Sequence, residues 1–457
     1  MLVGFAAMIS ITSVIGGVTG AGVLPAANDI SQLSAAVSSP YSVSSIETGA
    51  TRSAVGDVPT GNGQAELVTA GLFGVLSRLN VADVPAFVGS HHAQLDAMLV
   101  NPPRASDVTS LWKMLDPQKQ ASILAAAPHV VGNLEGIPYE VRGRANRLDL
   151  TQTITRTRVT LASQPGKAQR LELQRTLNTL NNVKRALGAS DGVKRTLIGL
   201  DTSSDARAAI VIGDLSSAAY VSYLVPGMYM SVDEQIVDWA RTAQELYDTQ
   251  RSWLQRILGP RGAGGALGVA TVAWIGYQTP ELMNIGGLDL ATAGADNLER
   301  SLEGLQSIRQ ADPPFVSVFA HSYGSTAALL ALQRRSVSVD ALALLGSPGS
   351  DVQSVSGLSV KNGNVFVGQA PMDPIVHSAF FGSDPGAASY GAQKMGVSGG
   401  VDPISHEKLV GSSGHNEYFA SGSESMRNLA LIGIDMGKLV MGGSGSSGSS
   451  ATTASGR

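Results

Sequence analysis

The stretch that decides the fold is Phe315–Leu332, with the sequence FVSVFAHSYGSTAALLAL. It begins with a short apolar, β-branched run, which favours a strand, and it ends in an Ala/Leu run, which favours a helix. Between the two runs lies Ala-His-Ser-Tyr-Gly, with Ser322 at its centre. A strand, a sharp turn that carries a serine, and a helix together predict a nucleophile elbow. Such a turn lifts the serine hydroxyl above the sheet edge, at the amino end of a helix whose partial positive charge favours a developing oxyanion.

Three other serines lie in the same small-x-Ser-x-Gly pattern, so the pattern alone is weak evidence. They are Ser190, Ser389 and Ser398. None of the three follows an apolar strand and opens an apolar helix, and we interpret their surroundings as loops. Ser322 is therefore the predicted nucleophile, and the alternative for it is an ordinary turn between a strand and a helix.

Composition excludes several classes of function. The chain has 457 residues, which is enough for two or three domains. Its net charge is −4 and it has no basic block, so nucleic acid is not an expected partner. It has no cysteine, which excludes disulfides, thiol catalysis and thiolate metal sites. Its seven histidines do not form a metal-binding spacing, and we expect neither a metal nor a cofactor.

Residues 1–28 carry no charged side chain and predict a signal peptide or a signal anchor. Thr19-Gly20-Ala21 is a candidate cleavage site. The first basic residue is Arg52, so the basic stretch that normally opens a signal is missing, and a buried or interfacial apolar helix is the alternative. We expect a secreted protein, or one that the N-terminus holds at a membrane or the cell envelope. A cytoplasmic location is the alternative.

The remainder of the chain divides by composition and periodicity. The predicted divisions are a linker at 29–65, a helical N-terminal region at 66–205, a domain of alternating strands and helices at 206–441, and a disordered Gly/Ser tail at 442–457. In the helical region, Asp116-Pro117 predicts the start of a helix through Gln118–Ala127. Lys167–Leu187 carries a mostly helical apolar stripe.

The alternation in residues 206–441 predicts a mainly parallel sheet with helices on both faces. Besides the elbow strand, the predicted strands are Ala208–Ile212, Tyr220–Val225, Val269–Ile275, Leu342–Leu345 and Val365–Val367. A long helix is expected to end near Gly259-Pro260, and another covers Ala295–Arg309. The last helix is predicted through Met426–Met441, with Ser421 and Glu424 as its cap.

A serine hydroxyl needs a base to take its proton and a third group to orient that base. Asp373 lies in the loop after Val365–Val367, and the carboxyl end of a late strand is where the acid belongs. Asp384 and Asp402 are its rivals, but neither directly follows a strand. The alternative role of Asp373 is to cap the next helix.

The candidate bases are the three histidines that follow Ser322. They are His377, His406 and His415. His377 lies too near Asp373 to come from a separate final loop, and His406 is typical of a solvated surface position. His415 lies shortly before the last helix and is the predicted base. The alternative for His415 is a structural histidine.

The tetrahedral intermediate of acyl transfer needs two N–H donors. One is expected from Tyr323, immediately after the nucleophile. The other is expected from the loop after an earlier strand, where Gly227 permits close backbone approach and the N–H of Met228 is the predicted donor. Tyr277 and His321 are expected to line the pocket.

Several short motifs stand in order along the chain. They are Val225-Pro226-Gly227, Trp274-Ile275-Gly276-Tyr277 with Pro280, His321-Ser322-Tyr323-Gly324, Gly346-Ser347-Pro348-Gly349, Phe381-Gly382-Ser383-Asp384-Pro385 and the segment around His415. The series resembles the actinobacterial α/β-hydrolase family first catalogued as a domain of unknown function. Upstream, Trp112, Gly132–Pro138 and Arg142–Arg147 resemble the helical segment that precedes the hydrolase domain in that family. The resemblance covers roughly residues 110–435 and departs at Ala320, where glycine is more usual.

The resemblance implies an α/β-hydrolase fold and a serine hydrolase. We therefore expect an enzyme that cleaves carboxylic esters, of a small molecule or a lipid, through a Ser-His-Asp triad and an acyl-enzyme. One alternative is a cell-envelope acyltransferase, in which an alcohol replaces water at the same triad. Another is a non-catalytic binding module with the same fold.

Overall fold

The computed structural model describes residues 63–189, 191–202, 205–259 and 268–442. The predicted signal or anchor at 1–28, the predicted linker up to residue 62, Ser190 and the predicted tail after Gly442 lie outside the described residues. From Leu67 onward the described residues belong to one compact unit. Within the described ranges, no helix combines the length and the apolar character needed to cross a membrane.

Helices fill the first part of the described chain, as predicted. They are α1 (Gly63–Arg78), α2 (Val84–Met98), α3 (Ala105–Met114), α4 (Pro117–Ala126), α5 (Pro128–Asn133), α6 (Tyr139–Ala162) and α7 (Lys167–Leu187). The carboxylate of Asp116 accepts the N–H of Lys119 at 2.9 Å and caps α4. Buried side chains such as Phe73, Trp112 and Ile123 give this region a core of its own.

An eight-stranded sheet forms the second part. Its strands are β1 (Arg195–Asp201), β2 (Arg207–Gly213), β3 (Tyr220–Val225), β4 (Val269–Ile275), β5 (Phe315–His321), β6 (Ala341–Leu345), β7 (Val365–Gly368) and β8 (Gln393–Lys394). They lie in the order β1-β2-β4-β3-β5-β6-β7-β8. Strand β2 runs antiparallel to β1 and β4, and the other neighbours are parallel. The predicted mainly parallel sheet is confirmed. Two short strands, β9 (Gly400–Val401) and β10 (Lys408–Leu409), pair apart from it.

Strand β1 lies inside the range predicted to be helical. Its sequence, RTLIGLD, mixes charged residues and a glycine with the apolar ones, so it lacks the continuous apolar run of the predicted strands. It nevertheless pairs along β2, where Leu197 faces Ile210 in register. Leu197 and Leu200 are buried in the core shared with the helices.

Helices cover both faces of the sheet, as predicted. The helices of this part are α8 (Val232–Leu258), α9 (Asp289–Ile308), α10 (Tyr323–Gln333) and α11 (Glu424–Gly433). Helices α7, α8 and α11 share one core with Leu224 of β3 and Phe319 of β5. Neighbouring strand residues point to the opposite face, where Tyr223 meets Ser301 of α9.

The last helix is shorter than predicted, and its cap lies at a different residue. The hydroxyl of Ser423, rather than that of Ser421, accepts the N–H of Met426 at 3.0 Å. Helix α11 ends at Gly433 instead of continuing to Met441. Two residues later Asp435 has a φ of 61°, a left-handed conformation that a right-handed helix does not contain.

Candidate active site

Ser322 lies at the turn between β5 and α10. Its φ of 53° and ψ of −130° fall in a region that costs about 1–3 kcal/mol outside glycine, so the surrounding structure must hold the turn. The N–H of Ser322 donates to the carbonyl of Leu345 at 2.8 Å. The hydroxyl of Ser325 lies 2.6 Å from the carbonyl oxygen of Ser322 and 2.7 Å from the hydroxyl of Ser347. This buried network fixes the strained serine against β6.

Close packing around Ser322 explains the two glycines near it. A Cβ added at Gly227 would lie 2.6 Å from the Cβ of Ser322. A Cβ added at Gly324 would collide with the carbonyl oxygen of Pro226. Ala320 is buried, so a methyl group is accommodated there. The loop after β3 therefore lies directly against Ser322, and Gly227 allows this close backbone approach.

The structure brings Ser322, His415 and Asp373 together. Nε2 of His415 lies 2.7 Å from Oγ of Ser322, and Nδ1 lies 2.9 Å from each carboxylate oxygen of Asp373. The Asp373 side chain is fully buried and the His415 side chain is 12% exposed, so little water reaches the group. In the tautomer that donates its Nδ1 proton to Asp373, His415 has Nε2 as an acceptor facing Oγ of Ser322, which is the arrangement that a general base requires.

Asp373 is held by more than the histidine. Tyr418 donates its hydroxyl proton to Oδ2 at 2.6 Å, and the N–H of Ile375 donates to Oδ1 at 2.9 Å. Burial by itself would raise the pKa of Asp373, but the hydrogen bonds from His415 and Tyr418 outweigh it and hold that pKa below its usual value. The carboxylate therefore stays ionised and can stabilise the imidazolium that forms when His415 accepts a proton.

His321 lies against the loop that carries the base. Its Nε2 is 2.6 Å from the carbonyl oxygen of His415, and the two rings are 4.7 Å apart. A carbonyl only accepts, so His321 carries its proton on Nε2. Burial, assisted by the neighbouring His415, lowers the pKa of His321 to about 3. His321 is therefore neutral at neutral pH and fixes the backbone of the base.

Both predicted oxyanion donors belong to segments that lie against Ser322. Tyr323 opens α10, and Met228 follows the glycine that touches Ser322. Neither N–H donates a hydrogen bond to another described residue, so both are free to bind an oxyanion. Tyr277 donates its hydroxyl proton to the carbonyl of Pro226 at 2.7 Å and thereby fixes the loop that carries Met228.

Two residues of the site were not predicted to belong to it, Gly346 and Tyr418. Gly346 has a φ of 55°, and a Cβ there would lie 2.7 Å from Oδ2 of Asp373 and 2.9 Å from Nδ1 of His415. Glycine is therefore required where β6 passes the acid–base pair. Sequence signals existed for both residues: Gly346 directly follows a predicted strand, and Tyr418 lies three residues after His415.

The rival acids and bases have other partners or lie in solvent. Asp402 is fully buried and accepts the Nε–H of Arg427 at 2.6 Å. Asp384 pairs with His377 at 2.9 Å, and the His377 side chain is exposed. His406 is exposed and has a left-handed φ of 61°.

The other patterned serines that the structure describes lie in different settings. Ser389 belongs to a short 3-10 helix, Ala388–Tyr390, and Ser398 lies in the loop between β8 and β9. Among the described serines of the pattern, Ser322 alone joins a strand to a helix.

A cavity of about 640 Å³ opens beside the loop after β3. Its wall includes Tyr229, Tyr277 and Thr279, but Ser322, Asp373 and His415 are not among the residues that line it, so the role of Tyr277 in a substrate pocket stays a prediction. Charged side chains in the wall are mostly acidic, namely Glu172, Asp205, Asp233, Glu234 and Glu281 against Arg175. These carboxylates do not form a metal site: across the described residues, no group of three or more potential ligands is placed to hold an ion.

Comparison with known proteins gives the family. The model of a family described as "Alpha/beta hydrolase" matches residues 201–383, a range that includes Ser322 and Asp373 and ends before His415. The uncharacterized protein Rv0963c of Mycobacterium tuberculosis is 30% identical over 235 residues, which cover 50% of this chain and 85% of that protein. The chain belongs to the α/β hydrolase family.

Other similarities to this α/β hydrolase are more distant. The uncharacterized protein Rv2079 of Mycobacterium tuberculosis is 26% identical over 377 residues, or 72% of this chain, and the chain spans only 55% of the length of Rv2079. Among solved structures, an esterase of Pyrobaculum calidifontis matches 59% of this chain and 94% of its own at 12% identity, with a TM-score of 0.32. A predicted CIB-like hydrolase from Thermoplasma acidophilum matches 53% and 97% at 11% identity, with a TM-score of 0.30. At this similarity the solved structures say nothing about the substrate.

Proposed function

We propose that this α/β hydrolase is a serine enzyme that cleaves carboxylic esters through an acyl-enzyme intermediate. The observation that carries the proposal is the continuous hydrogen-bonded chain from Oγ of Ser322 through His415 to Asp373, with distances of 2.7 and 2.9 Å. A serine with only a structural role in the turn would need neither a histidine at its hydroxyl nor an ionised carboxylate bonded to that histidine. A non-catalytic binding module is disfavoured for the same reason.

Acylation follows from the positions of these groups. Nε2 of His415 takes the proton of Ser322 as Oγ attacks the ester carbonyl carbon. The carbonyl oxygen becomes negatively charged and accepts the N–H groups of Tyr323 and Met228. Asp373 stabilises the imidazolium. The intermediate then collapses, the bond to the leaving alkoxy group breaks, and His415 gives its proton to that group. The products are a free alcohol and an acyl ester on Ser322.

Deacylation repeats these steps with water. His415 removes a proton from water, the hydroxide attacks the acyl carbon, and the proton returns to Oγ of Ser322 as the carboxylic acid leaves. An alcohol in place of water would give a new ester, which is the acyltransferase alternative. The triad serves either acceptor, so the distinction depends on which acceptor reaches the acyl-enzyme.

Turnover of activated esters tests the proposal. We expect the full chain to hydrolyse p-nitrophenyl esters and Ser322→Ala to lose at least about 10⁴-fold in kcat/KM. Ser389→Ala is the matched control, because it removes a serine of the same sequence pattern outside the site. Equal activity in wild type and Ser322→Ala would contradict the proposal. Mass spectrometry of products formed with added alcohols distinguishes hydrolysis from acyl transfer.

We also propose that the protein acts outside the cytoplasm or at the cell envelope, on ester substrates and not on nucleic acid. The support is the uncharged segment 1–28, which lies outside the described residues. If the segment is a cleaved signal, exported protein should begin near Gly22. If it is an anchor, full-length protein should be found in the membrane fraction. Soluble, uncleaved protein confined to the cytoplasm would contradict both.

A further inference from the structure

Some exposed apolar side chains lie at the same edge of the sheet as Ser322. Four large ones lie on loops at the carboxyl edge of the sheet: Tyr229 is 47% exposed, Met283 93%, Leu288 42% and Met372 76%. We call these four side chains the apolar rim. Single exposed apolar side chains are ordinary, but several grouped around one site mark a surface that contacts something apolar.

Hydrogen bonds join the loop after β4 to the loop after β3 and to the residue that follows Ser322. The phenol oxygen of Tyr229 accepts the N–H of Leu282, which directly precedes the rim methionine of that loop, at 3.1 Å. Tyr323, which follows the nucleophile, donates its hydroxyl proton to the carbonyl of Gly287 at 2.6 Å. Gly287 directly precedes the rim leucine. The segments of Met283 and Leu288 are therefore held by Tyr229, the neighbour of Met228, and by Tyr323, which is itself a predicted oxyanion donor.

The loop after β7 places the rim residue Met372 next to Asp373. Met372 directly precedes Asp373, and its N–H donates to the carbonyl of Ser413 at 2.9 Å. In the same loop Phe381 packs edge-on against Tyr323, with ring centroids 5.7 Å apart. The apolar surface thus approaches the nucleophile from the loops after β3, β4 and β7.

The charge of these loops indicates what the rim contacts. Residues 226–231, 276–288, 369–387 and 411–423 contain no Lys or Arg. Basic residues draw proteins to anionic lipids, and arginine is enriched where proteins bind one another. Two carboxylates of the loops are already engaged, since Asp384 pairs with His377 and Glu417 accepts the N–H of Ser413. An apolar surface without cations suits a neutral lipid better than an anionic membrane or a protein.

We propose that the apolar rim docks onto the surface of a neutral lipid aggregate, from which a water-insoluble, long-chain acyl ester reaches Ser322. Docking removes the rim side chains from water and places the site mouth at the surface that holds the substrate. The identity of the substrate as an ester rests on the proposed function, whereas docking requires no catalysis.

Flotation with phosphatidylcholine vesicles tests the docking, with protein that lacks residues 1–28 because that segment is itself a proposed anchor and lies outside the compact unit that begins at Leu67. Met283→Asp and Met283→Lys should both bind at least about tenfold more weakly than wild type, because both place a charge in the apolar contact. Opposite charges with the same effect exclude simple electrostatics. Ser322→Ala should bind as wild type does, and added phosphatidylglycerol should not strengthen binding.

Met114→Asp is the matched control for the vesicle experiment. Met114 is 74% exposed on α3, so the substitution adds the same charge to another exposed methionine. Helix α3 lies far from the rim in the fold, since its Thr109 contacts Ser307 at the end of α9 remote from the nucleophile. Its vesicle binding should equal that of wild type. If Met114→Asp weakens binding as much as Met283→Asp, the rim is not the docking surface.

Ester hydrolysis provides a second test of the docking proposal. Met283→Asp should hydrolyse a soluble short-chain ester within about twofold of wild type, since the side chain lies outside the triad. With a long-chain ester above its solubility limit, the wild-type rate should rise and the variant rate should not. Rim variants that bind vesicles as strongly as wild type does would contradict the docking proposal. A wild-type protein that self-associates through Met283 and does not bind vesicles would also contradict it. Rim-dependent vesicle binding by a protein without esterase activity would instead refute the proposed function alone.

Discussion

Substituting alanine for Gly346 tests whether the acid–base pair needs the geometry described above. The new Cβ would lie 2.7 Å from Oδ2 of Asp373 and 2.9 Å from Nδ1 of His415, closer than real Cβ atoms approach other heavy atoms. One or both partners must move, and the hydrogen bonds of 2.9 Å between them must lengthen. Hydrogen bonds to charged groups contribute about 1.5–3 kcal/mol, so Gly346→Ala should lower kcat/KM between about 10- and 150-fold.

Two alanine substitutions separate this collision from other effects. Gly346→Ala also places a side chain at a φ of 55°, which costs about 1–2 kcal/mol of folding free energy. Gly363 has a φ of 63° and no heavy atom within 4 Å of a new Cβ, so Gly363→Ala should be destabilised similarly and keep full activity. Gly414→Ala, next to the base, would meet only an oxygen of Glu417 at 3.8 Å and should resemble wild type.

The assay is kcat/KM on a soluble activated ester, with urea unfolding of each variant. We expect lowered stability in both Gly346→Ala and Gly363→Ala, and lowered activity in Gly346→Ala alone. Full activity in a folded Gly346→Ala would refute the argument that the pair needs its present geometry. Equal activity losses in both variants would assign the effect to backbone strain.

Three further predictions concern the triad, the histidine beside it and the buried ion pair. His415→Ala should lose nearly as much kcat/KM as Ser322→Ala and Asp373→Asn should retain more, because removing the orienting acid leaves part of the base's function. An inactive but folded His406→Ala beside an active His415→Ala would transfer the base to His406. His321→Phe should lower kcat/KM roughly 2- to 13-fold, whereas His321→Gln, which keeps an N–H donor for the His415 carbonyl, should lose less; equal losses would contradict this role. Asp402→Asn should cost about 3–5 kcal/mol of unfolding free energy at neutral pH, because it leaves Arg427 buried and unpaired. Burial alone would raise the pKa of Asp402, but Arg427 and two backbone N–H groups hold it below the unfolded value. The difference in unfolding free energy between wild type and Asp402→Asn should therefore be largest at neutral pH and should shrink as the pH falls through the pKa of Asp402 in the folded protein. A difference that stays the same in acid would be inconsistent with the pairing of Asp402 and Arg427.

The interior strands were predictable because parallel strands buried on both faces need continuous apolar runs. Tyr220–Val225 and Val269–Ile275 match the prediction at both ends. Strand β1 was missed because its sequence, RTLIGLD, has a charged residue at each end and a glycine inside, and so lacks the continuous apolar run of the interior strands. The cap of the last helix was misplaced because Ser421 and Ser423 both suit a cap, and only the fold decides between them.

The candidate site was predictable to the extent that chain order constrains it. Ser322 and His415 are 93 residues apart, and Asp373 is 42 from His415, yet the expected order of serine, acid and histidine selected all three. The structure brings them within hydrogen-bond distance, while their catalytic roles stay predictions. Gly346 and Tyr418 lie near predicted features in the sequence, but their contacts with Asp373 depend on how two loops meet in space, which those positions alone do not give.

Covalent labelling is a direct test of whether Ser322 is the nucleophile. A fluorophosphonate probe reacts with a serine only when a base activates it. After labelling and trypsin digestion, peptide Gln310–Arg334 contains Ser317, Ser322 and Ser325, so fragmentation must locate the adduct. If Ser322 is the nucleophile, a single adduct forms on Ser322, is absent from Ser322→Ala and forms much more slowly in His415→Ala. An adduct on another serine, or undiminished labelling of folded Ser322→Ala, would contradict that assignment.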